Sequence, residues 1–323
     1  MLRKAELVSV NGMLVFARIV ELSATRGLDL HGLSMRYALE RFLARVFAPD
    51  APATIGLDGT SRMELGQDSI TLKGGLTMFI AEGVHPLDGR STSDADFHVA
   101  PTADGGHAEQ FVFFLRQTLG RRPGGFDDGV TFDLDTLAIA KVKDGNVPGG
   151  KVTVTAQIGK FAVKIRSDIA FDTRPINAQA GRVPYPNILP RDSGPPITIR
   201  HTPWEYGVAD KLQAMVRHGI GNYRMRDYYD MYVILKGGKA DLDRLPDAIQ
   251  STFDLYGSEI PASVDDMPAL GAEYVAAKTA RWDSERETKQ FGDRVPSLAE
   301  VVDYLRETID PVLTGMRLQA RPF

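Results

Sequence analysis

Ser93-Asp94-Ala95-Asp96-Phe97-His98-Val99 decides the fold class, because it places two carboxylates two residues apart at the start of an apolar run. In a β-strand, side chains two residues apart point to the same face, so Asp94 and Asp96 are predicted to project together. Two like charges on one face require an opposing charge, which a hard divalent cation with oxygen ligands supplies. The pair alone fits a solvated turn equally well.

A glycine turn lies upstream of this acidic pair. Residues 69–72 predict a short strand, Lys73-Gly74-Gly75 follows, and residues 76–80 have a brief helical pattern. Bare glycine backbone lets a phosphate approach closely, and amides at a helix N-terminus favour anions. The same residues also fit a plain tight turn, and they are not a P-loop, since no Gly-Lys-Ser/Thr follows. Together, the turn and the acidic strand predict a phosphate site beside a metal site.

A third carboxylate, Asp168, falls in the strand-like segment 163–171. If this segment lies beside the acidic strand, Asp168 completes a site for two metal ions, which activate an attacking oxygen and stabilise leaving pyrophosphate. An aspartate on an edge strand or in a turn would give the same pattern.

Composition limits the other chemistries. The 323 residues contain no cysteine, which excludes disulfides, thiolate zinc sites and thiol nucleophiles. The net charge of −4 argues against a surface coated in basic residues, although local basic patches remain compatible with it. The sequence has no apolar run long enough to span a bilayer, and its first six residues lack the apolar core of a signal peptide. We therefore expect a cytoplasmic protein without a membrane partner.

The order of periodic patterns predicts an α+β domain followed by a C-terminal helical domain. The first fifty residues and residues 111–119 have helical patterns, and residues 172–200, with six prolines, resemble a loop or linker. Predicted strands in the middle cover 130–134, 137–140, 152–156, 161–165 and 168–171. Predicted helices then cover about 203–218, 225–236, 243–255, 267–281 and 297–313. The expected domains are residues 1–200 and residues 201–323.

Three polar groups stand out in the helical half. Thr202-Pro203-Trp204-Glu205 predicts a helix start with a capping box, which makes Glu205 structural. Lys211 lies beside the apolar stripe of that helix, where it is either a solvated flank or a group that reaches a triphosphate. Asp227 and Asp230 are spaced to share one helical face. A charged surface with an Arg226–Asp230 pair is the alternative interpretation of that face.

In order and spacing, these segments resemble the AbiEii/AbiGii-type, MenT-like nucleotidyltransferase toxins of the DNA polymerase β-like superfamily. The resemblance covers about residues 35 to 236 and implies a nucleotidyltransferase-type mixed β-sheet flanked by helices. The box at 90–97 is similar to an Arg-x-Thr-x-Asp-x-Asp pattern, and 167–172 to an Asp-Ile-Gly-Phe-Gly-Asp segment. The other matching segments are Tyr37–Arg45, Leu72–Gly75 and Glu205–Asp230.

Carried over residue by residue, the resemblance implies a Mg²⁺-dependent (or Mn²⁺-dependent) transferase with metal ligands at Asp94, Asp96 and Asp168. It implies a triphosphate turn at Lys73-Gly74-Gly75, a nucleotide contact at Lys211 and an essential acid at Asp227. The superfamily's Gly-Ser signature is here Gly75-Leu76-Thr77, so a hydroxyl must come from Thr77 or Ser93. Ala170 replaces a glycine of the family, and residues 237–323 match no family segment.

The implied role is the toxin of a toxin–antitoxin or phage-defence pair that transfers NMP from an NTP to RNA, with the tRNA 3′ end as the expected acceptor. A cognate antitoxin encoded nearby is the expected protein partner. Two alternatives stay open: a protein hydroxyl, on the enzyme itself or another protein, as acceptor, and an inactive module that only binds nucleotide. Candidate RNA contacts are Arg121, Arg122, Lys141, Lys143, Arg224 and Arg226.

Overall fold

A computed structural model describes most of the chain. The described residues are 10–49, 51, 65–89, 92–101, 106–142, 147–192, 194, 196–288, 291 and 295–319. Arg90, Ser91 and Lys143 lie outside the described residues.

Helices and strands divide unevenly along the described residues. The α-helices are α1 (Val10–Arg26), α2 (Leu30–Val46), α3 (Met78–Glu82), α4 (His107–Leu119), α5 (Ile176–Gln179), α6 (Trp204–His218), α7 (Met225–Lys236), α8 (Leu245–Tyr256), α9 (Ala272–Glu287) and α10 (Leu298–Gln319). The strands are β1 (Ile70–Lys73), β2 (Asp96–Val99), β3 (Val130–Val142), β4 (Gly149–Ile158), β5 (Phe161–Phe171), β6 (Arg182–Tyr185) and β7 (Ile197–Arg200). None of the helices among the described residues combines the length and the apolar character needed to cross a membrane.

The chain forms two compact units. The first contains the described residues up to Leu76, residues 85–87, and Thr92–His201. The second contains the described residues from Thr202 onward, together with Thr77–Val84, Asp88 and Gly89. The sequence did not predict that α3 joins the C-terminal helices. The assignment of residues 1–200 to a catalytic domain and of 201–323 to a helical domain that completes the active-site cleft stays a prediction.

The first unit is built on a five-stranded mixed sheet in the order β1-β2-β5-β4-β3. Strands β2 and β5 are parallel, and the other neighbouring pairs are antiparallel. Side chains of β5 alternate between buried and exposed, with Ile169 and Phe171 buried and Arg166 and Asp168 exposed. One face of the sheet is therefore packed and the other carries polar groups, as the period of two requires.

Helix α2 is mostly buried from Leu33 to Val46, and several of its charged residues lie within the core. Arg45 makes two bonds to the carboxylate of Asp128, at 2.7 and 2.9 Å. Glu40 accepts a bond from the backbone N–H of Ile188 at 2.5 Å and pairs with Arg41. Burial of these charges is tolerated because they are paired and hydrogen-bonded.

The second unit packs its helices around large buried side chains. Trp282 of α9 is fully buried, donates its indole N–H to the carbonyl of Pro296 and lies 4.7 Å from the ring of Phe291. Leu305 and Ile309 of α10 are also fully buried. The five predicted C-terminal helices are all present, with ends that differ by a few residues from the predicted ones.

Three local predictions were wrong. Residues 172–200 are not only a loop, because β6 and β7 pair there, with Ile197 and Ile199 buried in an alternating pattern that the prolines concealed. The pieces 130–134 and 137–140 are one strand, β3, with a register shift between Asp133 and Ala138. Pro203 occupies the cap position of α6, and Glu205 instead accepts the backbone N–H of Asp241 at 2.7 Å.

Candidate active site

The glycine turn meets the acidic strand at the end of β1. Lys73, the last residue of β1, is paired with Asp96, the first residue of β2. Gly74 has φ +73°, and a Cβ on it would lie 2.9 Å from Oδ2 of Asp96. Only glycine satisfies both the left-handed backbone and the close approach. The predicted neighbourhood of the turn and the carboxylate is therefore present within the first unit.

Asp168 lies beside Asp96 on the polar face of the sheet. The parallel register pairs Phe97 with Ile169, both buried, so the residues that precede them share the opposite face. The backbone N–H of Asp168 donates to Oδ1 of Asp96 at 3.4 Å. The Asp168 carboxylate is exposed and lies 3.8 Å from Nζ of Lys151. Since β5 is flanked by β2 and β4, Asp168 is not on an edge strand.

Asp94 precedes the strand, and this corrects the prediction that both carboxylates lie on it. Strand β2 begins at Asp96, and Asp94 and Ser93 are exposed residues before it. Thr92 donates its hydroxyl to Oδ1 of Asp94 at 3.1 Å. The backbone N–H of buried Ala95 bonds to the carbonyl of Arg166 at 3.2 Å. Backbone hydrogen bonding to β5 thus begins at Ala95, the residue that follows Asp94.

The electrostatics single out Asp96 among the three carboxylates. Burial raises the pKa of Asp96 to about 6, and the charges of Asp94 and Asp168 add to that rise. Lys73 and the N–H of Asp168 act in the opposite direction without cancelling it. The cause is a half-buried carboxylate that faces two others and has one nearby ammonium group.

Carboxylate oxygens suit Mg²⁺ or Mn²⁺, and a divalent charge would relieve the repulsion that raises the Asp96 pKa. The donor chemistry therefore fits such an ion. Within the part of the chain that the structure describes, no three His, Asp or Glu side chains are already grouped as the ligands of one metal. The ligand set Asp94, Asp96 and Asp168 stays a prediction.

A second cluster, within the helical unit, joins Lys211 of α6 to two carboxylates of α7. Nζ of Lys211 lies 3.5 Å from Oδ1 of Asp227 and 3.3 Å from Oδ2 of Asp230. Oδ2 of Asp227 also accepts from Nε of Arg224. The Lys211 side chain is only 14% exposed, so it is not a solvated flank. Asp230 is fully buried, so it does not lie on a charged surface, which the alternative interpretation required.

Burial makes this cluster a matched set of charges. Removing one member of a buried ion pair leaves an uncompensated charge in a region of low dielectric, at a cost of about 3–5 kcal/mol. The i,i+3 spacing of Asp227 and Asp230 predicted one shared face, and both carboxylates do reach the same ammonium. The sequence analysis missed the pairing of Arg224 with Asp227, although their i,i+3 spacing could have indicated it, whereas the pairing of Lys151 with Asp168 has no local signal.

The order of these segments along the chain agrees with one known family. The model of the nucleotidyl transferase AbiEii toxin family, a type IV toxin–antitoxin family, matches residues 62–304. The chain belongs to the AbiEii nucleotidyltransferase toxin family. The match includes the glycine turn, the aspartates Asp94, Asp96 and Asp168, and the Lys211 cluster, and it extends past residue 236, where the sequence resemblance had ended.

The fold of this AbiEii chain is similar to that of a solved structure, MenT4. MenT4, a nucleotidyltransferase toxin from Mycobacterium tuberculosis H37Rv, is 14% identical with a TM-score of 0.54, and the alignment covers 95% of this chain and 90% of MenT4. JHP933 from Helicobacter pylori is 12% identical with a TM-score of 0.47, covering 90% of this chain and 94% of that one. No curated protein matches the chain. The predicted family and the predicted α+β fold with a mixed sheet are confirmed.

The remaining predicted site residues of this AbiEii chain differ in burial and in their ion pairs. Gly74, Gly75 and Thr77 form a short 3₁₀ turn, and Thr77 is buried. Among the candidate RNA contacts, Lys141 pairs with Glu109 at 2.6 Å and Arg122 with Asp127 at 3.6 Å. Those two cations are part of ordinary surface pairs, which contribute little net attraction for a phosphate.

Proposed function

We propose that this AbiEii-family chain transfers a nucleoside monophosphate from an NTP to the 3′ hydroxyl of an RNA, with tRNA as the preferred acceptor. In this reaction the hydroxyl oxygen bonds to the α-phosphorus, the bond to pyrophosphate breaks, and the hydroxyl proton passes to solvent. Positioning and charge stabilisation are sufficient for such chemistry, and no protein nucleophile is required.

The observation that carries this proposal is the contact between Gly74 and Asp96. A left-handed glycine turn lies against a carboxylate whose pKa is raised to about 6 by burial and by two neighbouring carboxylates. We assign the turn Lys73-Gly74-Gly75 to the triphosphate, with Thr77 or Ser93 as hydroxyl donor. We assign Asp94, Asp96 and Asp168 to a divalent ion, Mg²⁺ or Mn²⁺, which would supply neutralisation of charge on the phosphates.

Lys211 and Asp227 have the remaining roles in this proposal. The ammonium of Lys211 is held by Asp227 and Asp230 and keeps a small exposed surface, so it is available to one phosphate oxygen. Asp227 holds the ammonium group of Lys211 in place through one carboxylate oxygen, and Arg224 binds the other oxygen. The proposed setting is a cytoplasmic toxin that is neutralised by an antitoxin encoded nearby.

The test is a matrix of labelled NTPs against acceptors, with Mg²⁺ present. Label in tRNA that requires both Mg²⁺ and Asp96 is expected, and Asp96→Asn should remove it. Asp135→Asn, which changes an exposed carboxylate of β3, is the matched control and should retain activity. If label appears only in protein, the acceptor is a protein hydroxyl and not RNA. NTP binding without turnover on any acceptor would reduce the chain to a binding module.

A further inference from the structure

An exposed tyrosine lies next to the Lys211 cluster in sequence. Tyr223 directly precedes Arg224, and its side chain is 61% exposed. Among the described large apolar and aromatic residues of this unit, only Leu318 is more exposed. The backbone next to Tyr223 is hydrogen-bonded to a buried side chain, because the hydroxyl of Tyr274 donates to the carbonyl of Asn222 at 3.0 Å. Tyr274 also stacks on Tyr228 at 5.0 Å. The Tyr223 ring is thus an exposed aromatic surface on a rigid support.

A lysine with an unusual environment lies against this ring. Lys278 of α9 is only 8% exposed, and its Nζ lies 3.6 Å from the centroid of Tyr223 and 6.0 Å from that of Tyr274. Among the described residues, no carboxylate forms an ion pair with Lys278. A cation–π contact offsets part of the cost of burial, but it satisfies none of the three N–H donors. An ammonium in this position favours an anionic ligand.

One helical turn further along α9, Arg281 completes the group. Its guanidinium lies 5.5 Å from the Tyr223 ring, and its Nε bonds to Glu285 at 3.2 Å. Because Lys278 and Arg281 project from one helix at i,i+3 spacing, both approach the ring from that helix. The two cations and the one carboxylate leave a net charge of about +1, which corresponds to a single backbone phosphate and not to a triphosphate.

We propose that Tyr223, Lys278 and Arg281 form a subsite for the acceptor strand. A nucleobase of single-stranded RNA stacks on the Tyr223 ring, and the adjacent phosphate binds Lys278 and Arg281. Aromatic stacking combined with a cation beside it is the usual means of binding unpaired RNA. The inference rests on the proposed RNA-modifying function and adds residues of α9, a region for which the sequence predicted no role.

The experiment measures binding separately from turnover. Fluorescence anisotropy of the full chain gives Kd for a labelled single-stranded RNA with a free 3′ end, over a series of salt concentrations, and steady-state assays give KM for the NTP. Tyr223→Ala should weaken RNA binding about tenfold, whereas Tyr223→Phe and Tyr223→Trp should retain it. Lys278→Met keeps the buried stem and should lower the slope of log Kd against log salt by about 0.7.

Lys236→Met is the matched control, because Lys236 lies 4.9 Å over the ring of Tyr304 in a comparable cation–π pair elsewhere in the unit. Unchanged RNA affinity in both Tyr223→Ala and Lys278→Met overturns the subsite, and so does a loss confined to the KM for the NTP. If the wild-type protein transfers nucleotide to RNA but the variants bind RNA as tightly as wild type, the subsite is overturned and the proposed reaction stands. RNA binding that depends on Tyr223, without any transfer to RNA, overturns the proposed reaction and supports the subsite.

Discussion

Lys211 and Asp230 form a buried ion pair, with Nζ 3.3 Å from Oδ2, and Asp227 approaches the same ammonium from 3.5 Å. The two carboxylates are not equivalent. Asp230 is fully buried, whereas Asp227 also binds the exposed Arg224. We infer that Asp230 fixes the lysine in the fold, while Asp227 lies closer to the surface at which a nucleotide would bind.

Asp230→Asn is expected to lower the free energy of unfolding by about 3 kcal/mol, because it removes a buried counter-charge of Lys211. Asp227→Asn should cost less stability but more nucleotidyl transfer. Urea unfolding and the labelling assay measure the two effects. In a Lys211→Met background, Asp230→Asn should be much less destabilising, and additive losses in the double variant would contradict the pairing.

Gly74→Ala should destabilise the protein and abolish transfer. The new Cβ meets a φ of +73° and would lie 2.9 Å from Oδ2 of Asp96. Gly83→Ala is a matched control, since Gly83 has φ +67° and nothing within 4 Å of its Cβ position. Both variants should lose about 1 kcal/mol from backbone strain, and only Gly74→Ala should lose activity. Equal activity of the two variants would argue against a functional contact at Gly74.

Mg²⁺ should stabilise the wild-type protein. A divalent ion that binds only the folded state at a hundred times its Kd adds about 2.7 kcal/mol to the free energy of unfolding. Asp96→Asn should lose this gain and, in EDTA, should be at least as stable as wild type, because one of three mutually repelling carboxylates is gone. Thermal unfolding with and without Mg²⁺ measures both, and a full Mg²⁺ response in Asp96→Asn would remove Asp96 from the ligand set.

Stability should fall at acid pH through Asp172. Burial alone would raise the pKa of Asp172, but the hydrogen bonds and charge of Arg174, together with His98, outweigh it and hold that pKa below its ordinary value. A lowered folded-state pKa gives stability that is complete above about pH 4 and is lost as the pH falls through the folded pKa.

Asp172→Asn should remove this acid-dependent loss while destabilising the protein at neutral pH, since Arg174 is buried and bonds to Asp172 at 2.5 Å. The free energy of unfolding measured between about pH 5 and pH 3 tests the sign, for the ordinary Asp pKa lies in that range. An identical pH slope in wild type and variant would show that another carboxylate is responsible.

Much of the architecture followed from local patterns. Helix α7 spans Met225–Lys236, and the sequence predicted 225–236, because apolar periodicity there is strong and glycine ends the helix. By contrast, β6 and β7 were missed because prolines in and around them suggested a loop. Pro184 lies in β6, and a proline is tolerated there because each strand of a two-stranded sheet is an edge strand. The buried pair of Arg45 with Asp128 could not be predicted from a local pattern, because the two residues are distant in sequence.

The sequence by itself determined the kinds of group available: an acidic strand, a glycine turn before it and a lysine and two aspartates on neighbouring helices. Periodicity and spacing are local properties, so they can be recognised without a fold. Only the tertiary structure decided that Asp96 lies against Gly74 and beside Asp168. It also decided that Lys278 lies against the ring of Tyr223, with no ion pair to a carboxylate among the described residues. Burial, pKa and charge pairing depend on residues far apart in the chain, and packing alone brings those residues together.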